Sequence, residues 1–321
     1  MRYVFGPVPS RRLGNSLGVD LVTLKACTFD CVYCQLGRTT EQTCERRSFV
    51  PADAVVAEVR EALASAAEVD ARGASPCRQA AVDYVTLSGS GEPTLSLDLG
   101  RVIRAIKGLT PIPVAVLTNG SLLGRADVQA DLADSDLVIP SLDAGTQAAF
   151  ERVNRPRGLS VAEVARGIRD FSLAYGGAVW LEVMIVAGIN DTPDEALAIV
   201  RLLEGGRFDK VQLNTVVRAP AEPWAAGAVA EERLEALAAI LAALAPVETI
   251  GQYRREGHEA RHRDAEESVL AALARRPCGA AELAASLGLA PALVVKLIDE
   301  MTRAGKLERI VVGPAVQYRA R

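Results

Sequence analysis

Six times along the chain a short apolar or alternating run is followed by a stretch whose apolar residues recur at helical spacing. The runs are LGVDLVTL (17–24), VDYVTLS (82–88), VAVLT (114–118), DLVIPSL (136–142), VWLEVMIV (179–186) and KVQLN (210–214). Period-two alternation and short apolar blocks of this length predict strands. After the first run, Pro51 and Asp53 open a helix that carries Val55, Val56, Val59 and Leu63 on one face. The second is followed by a helix over 96–108, with Ser96 as its expected cap and Leu99, Val102, Ile103 and Ile106 inward. Further helices are expected near 125–133, 146–152, 160–173 and 230–244, and one opens at Thr192. Ser160 with Glu163, and Thr192 with Glu195 behind Pro193, have the spacing of capping boxes. Such alternation predicts an α/β fold with a parallel sheet and right-handed crossovers. Eight units would close a barrel; six predict an open, partial (β/α)6 barrel. Residues 1–16, rich in Pro, Gly and Arg, read as an irregular lead-in, and 70–80 as a loop.

The pattern changes after residue 250. Residues 251–263 are polar and charged and read as a linker between a domain over 1–250 and another over 264–321. Both histidines, His258 and His262, lie in this linker, where solvated residues are the plainer reading than a metal site at i, i+4. Beyond it come helix EESVLAALARRP, helix AAELAASLG, a turn at Leu289–Ala290, helix PALVVKLIDEMTRAG, and two strands around Gly313-Pro314. The order resembles the winged helix-turn-helix domains of bacterial regulators. Such a domain places its third helix in a nucleic-acid groove, binds a peptide or protein, or packs on its neighbour. Residues 264–321 carry eight Lys or Arg against seven Asp or Glu, without the basic stripe of a strong nucleic-acid binder.

Composition narrows the classes. The 321 residues are half hydrophobic, enough for a sizeable core and about two domains. A net charge of −4 argues against a global nucleic-acid binder. There is no uncharged apolar run of about 18 residues, and MRYVFGPVPSRR is neither signal nor transit peptide. The expected compartment is the cytoplasm, and six cysteines, three of them clustered, do not form a secreted disulfide framework.

Those three are Cys27, Cys31 and Cys34, spaced C-x3-C-x2-C directly after the first strand. Thiolates select zinc, copper(I) or iron–sulfur clusters. A structural zinc site wants four ligands, and Cys44 is ten residues further on. Three thiolates on a four-iron cubane would leave one iron open for chemistry; a zinc or disulfide loop is the blander alternative. With Tyr33 before the last cysteine, the motif resembles the radical S-adenosylmethionine (radical SAM) superfamily. FGPVPSRRLGNSLGVDL and KACTFDCVYCQLGRTT are similar, more narrowly, to the wyosine-base-formation-like iron–sulfur oxidoreductases.

Strand tips extend the resemblance. Ser88-Gly-Ser-Gly-Glu92-Pro-Thr94 is similar to the family's Gly-Gly-Glu segment, with Ser90 in the place of the first glycine, then Gly91 and Glu92. Thr118-Asn119-Gly120 and Ser141-Leu-Asp143 end the next two strands. Each alone reads as turn chemistry; in register beside the cysteines, they form one set. The resemblance implies a [4Fe–4S] cluster on Cys27, Cys31 and Cys34. It implies S-adenosylmethionine near Tyr33, Ser90, Gly91, Glu92, Asn119, Ser141 and Asp143, and an electron donor of the flavodoxin or ferredoxin type. Arg155, Asn190, Asn214 and Arg218 fall in further matching segments, RVNRP, VAGIND and LNTVVRAPAE, where structural roles are as well supported.

The implied chemistry is reductive cleavage of S-adenosylmethionine to a 5′-deoxyadenosyl radical that takes hydrogen from a substrate, tRNA or a peptide recruited by the winged helix. Wyosine enzymes carry extra cysteines for a second cluster. No cysteine here precedes Cys27, and Cys44, Cys77 and Cys278 share no ligand spacing, which argues against the wyosine reaction itself. Two alternatives stand beside the enzyme: a cluster- or SAM-sensing DNA-binding regulator, and a zinc-stabilised binding protein.

Overall fold

A computed structural model describes residues 2–10, 12–71, 82–216, 220–250, 265–266, 269–270, 272–273, 278–287, 289, 291–312 and 315–321. The chain divides into two compact units, residues 1–65 with 82–252, and 66–81 with 253–321.

The first unit is built on one sheet. Its strands are β1 (Val4–Ser10), β2 (Gly14–Val19), β5 (Tyr84–Leu87), β6 (Val114–Thr118), β7 (Leu137–Pro140), β8 (Ala178–Ile185), β9 (Lys210–Thr215) and β10 (Val247–Ile250), hydrogen-bonded in that order. A separate short parallel pair, β3 (Ala26–Cys27) with β4 (Glu41–Gln42), frames the cysteine loop. From β2 to β10 every pairing is parallel; only β1 on β2 is antiparallel. The helices are α1 (Ala52–Ala71), α2 (Leu99–Leu109), α3 (Ala126–Leu132), α4 (Gln147–Val153), α5 (Val161–Ala174), α6 (Pro193–Leu203) and α7 (Glu231–Leu241). The strands are joined in sequential order through these helices. Accordingly α2 packs on α3, α5 on α6 and α6 on α7.

Burial follows from this arrangement. All four residues of β7 are buried, as a central parallel strand requires. In β8, Val179, Leu181, Val183 and Ile185 are buried apolar residues, and the alternate positions include Glu182, a carboxylate only 9% exposed. The sheet therefore has one apolar face and one with polar groups.

Four expectations are corrected. Residues 1–16 are not irregular: β1 and the start of β2 occupy them. Pro7 and Pro9 hid the strand, but an edge strand tolerates missing donors. The first parallel strand is Gly14–Val19 rather than 17–24, and Asp20 leaves the sheet to bond Ser90. Ser96 does not cap α2. It closes a 3-10 turn over Pro93–Leu95, while Asp98 stands at the helix start with no side-chain cap bond. The box at Thr192 is half built: Thr192 accepts from the Glu195 N–H, but the Glu195 carboxylate accepts from Gly145 and Thr146 N–H instead. The Ser160–Glu163 box is complete. A seventh parallel strand, β10, went unread because VETI is short and half polar.

In the second unit, α8 (Ala280–Leu287) and α9 (Pro291–Arg303) precede an antiparallel hairpin of β11 (Leu307–Val312) and β12 (Ala315–Ala320). Cys278 and Tyr318 exchange two backbone hydrogen bonds. Val269, Leu273, Leu283, Val294, Leu297, Ile298, Met301 and Leu307 share its core. Cys77, Arg218, His258, His262, Gly313 and Pro314 lie outside the described residues.

Candidate active site

The cysteine loop leaves β2 and is fastened to three other segments. Glu92 N–H donates to the Ala26 carbonyl at 3.0 Å; Asp30 and Val32 N–H donate to the Asn154 and Val153 carbonyls, and Glu222 N–H to the Val32 carbonyl. Phe29 meets Phe150 edge-on, with ring centroids 5.2 Å apart. The Asp30 carboxylate accepts from Thr39 N–H and Arg38 Nε, and Arg38 and Arg155 both pair with Glu222. Arg155 has φ +49°, which costs a non-glycine residue and is held here by those pairs.

Cys27, Cys31 and Cys34 are free thiols, partly exposed, on this one loop. Each sulfur meets one side-chain donor, and the three donors come from different segments. Asn119 Nδ2 lies 3.5 Å from Cys27 Sγ, Asn154 Nδ2 3.4 Å from Cys31 Sγ, and Lys25 Nζ 3.1 Å from Cys34 Sγ. Burial pushes the Cys27 thiol up to about 12, with the Glu92 carboxylate adding to the push. Burial also raises Cys31 well above the usual thiol range, helped by Cys27 and Asp143. A thiol so placed becomes a ligand when a metal supplies the missing positive charge.

Among the described residues no three His, Cys, Asp or Glu side chains form a set able to hold one ion. A cubane cluster makes no such demand, because its cysteines bind different irons. Among the described residues the donor set is therefore three soft thiolates without a fourth, and it fits a cluster better than zinc. Asn154 Oδ1 beside Cys31 is buried and has no donor among the described residues.

The strand tips hold this loop in place. Gly91 has no room for a side chain: a Cβ would sit 1.9 Å from the Ala26 carbonyl oxygen. Ser90 bonds Asp20 through N–H and Oγ, while its carbonyl accepts from Lys25 N–H. Burial raises the Asp20 carboxyl, against those Ser90 bonds. Glu92 is 2% exposed and accepts four bonds, from Thr94 N–H, Thr94 Oγ1, Thr118 Oγ1 and Asn119 N–H. Burial raises its carboxyl while those donors oppose the shift. Asn119 in turn bonds Thr28 Oγ1 at 2.7 Å, next to Cys27.

Asp143 is the second buried node. Tyr33 Oη and Asn154 Nδ2 donate to Oδ2, each at 2.6 Å, and Met184 N–H donates to Oδ1 at 2.9 Å. Burial pushes its carboxyl up to about 6 despite these donors. Ser141 Oγ reaches Glu182 at 3.4 Å, and Asn214 Nδ2 and Arg12 bond the same carboxylate. Asn190, 1% exposed, is spent on backbone: it bonds the Asp143 and Met184 carbonyls and Val186 N–H.

Cys27, Cys31, Cys34, Tyr33, Ser90, Glu92, Asn119 and Asp143 are thus joined in one hydrogen-bonded assembly, Gly91 lies against the Ala26 carbonyl, and Ser141 enters a neighbouring network through Glu182. Sequence reasoning missed Lys25, Asn154, Asp20 and the Arg12–Glu182 pair. Lys25 stands two residues before Cys27 and Asn154 inside RVNRP, but no spacing rule ties either to a sulfur.

The sequence model described as the Radical SAM superfamily matches residues 21–203. A GTPase Obg of Brachyspira hyodysenteriae is 32% identical over 317 residues, which is 98% of this chain and 45% of that protein. The chain thus spans under half the length of that relative. A UPF0026 protein of Methanocaldococcus jannaschii is 33% identical over 75% of this chain and 71% of its own length. Among solved structures, a radical SAM methyltransferase from Sphaerobacter thermophilus superposes with a TM-score of 0.54 at 22% identity, covering 75% of this chain and 67% of that one, and shares the fold. The family match spans more than half of the sequence and contains all three clustered cysteines: the chain belongs to the radical SAM superfamily, whose enzymes work with a [4Fe–4S] cluster and S-adenosylmethionine.

Proposed function

We propose that this protein is a hydrogen-abstracting radical SAM enzyme acting on a macromolecular substrate. The observation that carries the reading is the loop bearing Cys27, Cys31 and Cys34, each sulfur contacted by a donor from a separate segment. These three residues would hold the [4Fe–4S] cluster. With S-adenosylmethionine bound and one electron supplied by a flavodoxin- or ferredoxin-type donor, that group supplies a 5′-deoxyadenosyl radical. The chain's own residues orient and enclose. Tyr33, Ser90, Gly91, Asn119 and Ser141 would line the S-adenosylmethionine site. Glu92 and Asp143, saturated with protein donors, act by fixing Asn119 and Tyr33. Seven parallel strands in sequential order support a partial barrel.

In the second unit the order α8, α9, β11, β12, with Cys278 bridged to Tyr318, supports a winged helix. Its role in this reading is recruitment of tRNA or a peptide. Arg303 on α9 is paired with Asp299 of the same helix, which lowers the helix's free positive charge.

The test is anaerobic reconstitution with iron and sulfide, reduction by dithionite with S-adenosylmethionine, and mass detection of 5′-deoxyadenosine. A Cys27/Cys31/Cys34→Ala triple variant is the blank. Wild-type protein that takes up no iron, or loads iron without ever forming deoxyadenosine, overturns the proposal. No helix among the described residues is long and apolar enough to cross a membrane.

A further inference from the structure

Lys25 occupies a position that the sequence could have given to glycine. Its φ is +65°, in the left-handed region where L-residues are disfavoured. The backbone is clamped there from both sides: its N–H donates to the Ser90 carbonyl, and its own carbonyl accepts from Thr40 and Glu41 N–H. A strained non-glycine residue beside a reactive loop directs attention to its side chain.

That side chain is buried, 5% exposed, and Nζ lies 3.1 Å from Cys34 Sγ. Among the described residues it forms no ion pair with a carboxylate. A buried cation needs a counter-charge, and the cysteine sulfurs are the groups beside it. The other two sulfur donors, Asn119 and Asn154, are neutral amides. Lys25 is therefore the one charged member of the three-donor set.

We propose that Lys25 is a positioning residue that raises the reduction potential of the cluster bound by Cys27, Cys31 and Cys34. The inference rests on the cluster reading above. Hydrogen bonds to cysteine sulfur and local net charge set such potentials. One-electron reduction adds a negative charge, so a fixed cation against Cys34 favours the reduced form. Its effect is strengthened by burial, where charges are poorly screened. An amide in the same place supplies only a dipole.

The experiment compares wild type with Lys25→Met, Lys25→Gln and Lys25→Arg, each reconstituted anaerobically and assayed for iron. Dithionite donates one electron per cluster, from [4Fe–4S]2+ to [4Fe–4S]1+, and the reduced fraction is followed by electron paramagnetic resonance against redox mediators. At the poise that half-reduces wild type, Lys25→Met is expected to show at least a tenfold lower reduced-to-oxidised ratio. For a one-electron couple that is a shift of about 59 mV. Lys25→Arg stays within threefold of wild type, and Lys25→Gln falls between. A loaded Lys25→Met within threefold of wild type overturns the inference and leaves the cluster reading standing. Should Lys25→Met fold without taking up iron, the Gln and Arg variants decide, and equal potentials in those two overturn it. Wild type that binds no iron sinks both readings.

Discussion

Replacing Gly91 by alanine separates two accounts of the glycine-rich tip after β5. In one, the missing side chain lets a ligand approach the backbone. In the other, it lets the cysteine loop approach. An added Cβ would lie 1.9 Å from the Ala26 carbonyl oxygen, 2.9 Å from its carbon and 3.0 Å from Val22 Cγ2. Two of the three neighbours are backbone, so no rotamer relieves the clash. Residues 26 and 91 must separate by about 1.5 Å to reach ordinary contact. That takes the Glu92 N–H to Ala26 carbonyl bond, now 3.0 Å, out of range. Overpacking costs about 1–3 kcal/mol and the lost bond about 1 kcal/mol. The sum, about 2–4 kcal/mol, lowers the melting temperature by roughly 5–15 °C for a domain of this size. The assay is thermal unfolding of cluster-free protein, followed by iron content after reconstitution. Both should fall without any S-adenosylmethionine present. Gly108→Ala in α2 is the control: nothing lies within 4 Å of its added Cβ, and removing a helical glycine is worth up to about 1 kcal/mol of stability. A Gly91→Ala protein with wild-type melting and iron loading, weakened only in S-adenosylmethionine binding, would refute the packing account.

Asp143, with its carboxyl pushed from 3.8 to about 6, keeps its proton in the folded chain over a range where the unfolded chain has lost it. Its contribution to stability therefore declines as pH rises from about 4 to about 6, by roughly 3 kcal/mol, and is level above that. Urea melts of cluster-free protein across this range should show a shallower decline for Asp143→Asn, and identical slopes would contradict the assignment. Tyr33→Phe keeps the ring against Val32, Val153 and Val186 but removes a donor from a buried carboxylate. A loss of about 1–3 kcal/mol is expected with iron loading retained, and an unchanged urea midpoint would argue that Asp143 has no need of the hydroxyl. Phe150→Ala deletes a ring that is 1% exposed and abuts Phe29 in the cysteine loop. It should cost about 3–5 kcal/mol and loosen iron binding together; full iron retention in a destabilised protein would show that the loop does not depend on this contact.

Sequence by itself determined whatever depends on neighbours a few residues apart. Periodicity placed the interior strands, since VAVLT and DLVIPSL are apolar on both faces and a parallel sheet buries both. Local side-chain-to-backbone chemistry placed the Ser160 box, which closes within four residues. The C-x3-C-x2-C spacing marked the three sulfurs because they share one loop. Only the tertiary structure decided the rest. Glu195 has the spacing to serve its own helix, yet its carboxylate bonds Gly145 and Thr146 about fifty residues away. β1 and β10 are the strands at the two ends of the sheet, one broken by prolines and one half polar, so neither has a pattern strong enough to stand without its partner. Which donors touch which sulfurs is fixed by packing across 9, 92 and 123 residues of chain. A periodic signal decays over a few turns, whereas a hydrogen bond to a buried thiol is a property of the folded surroundings.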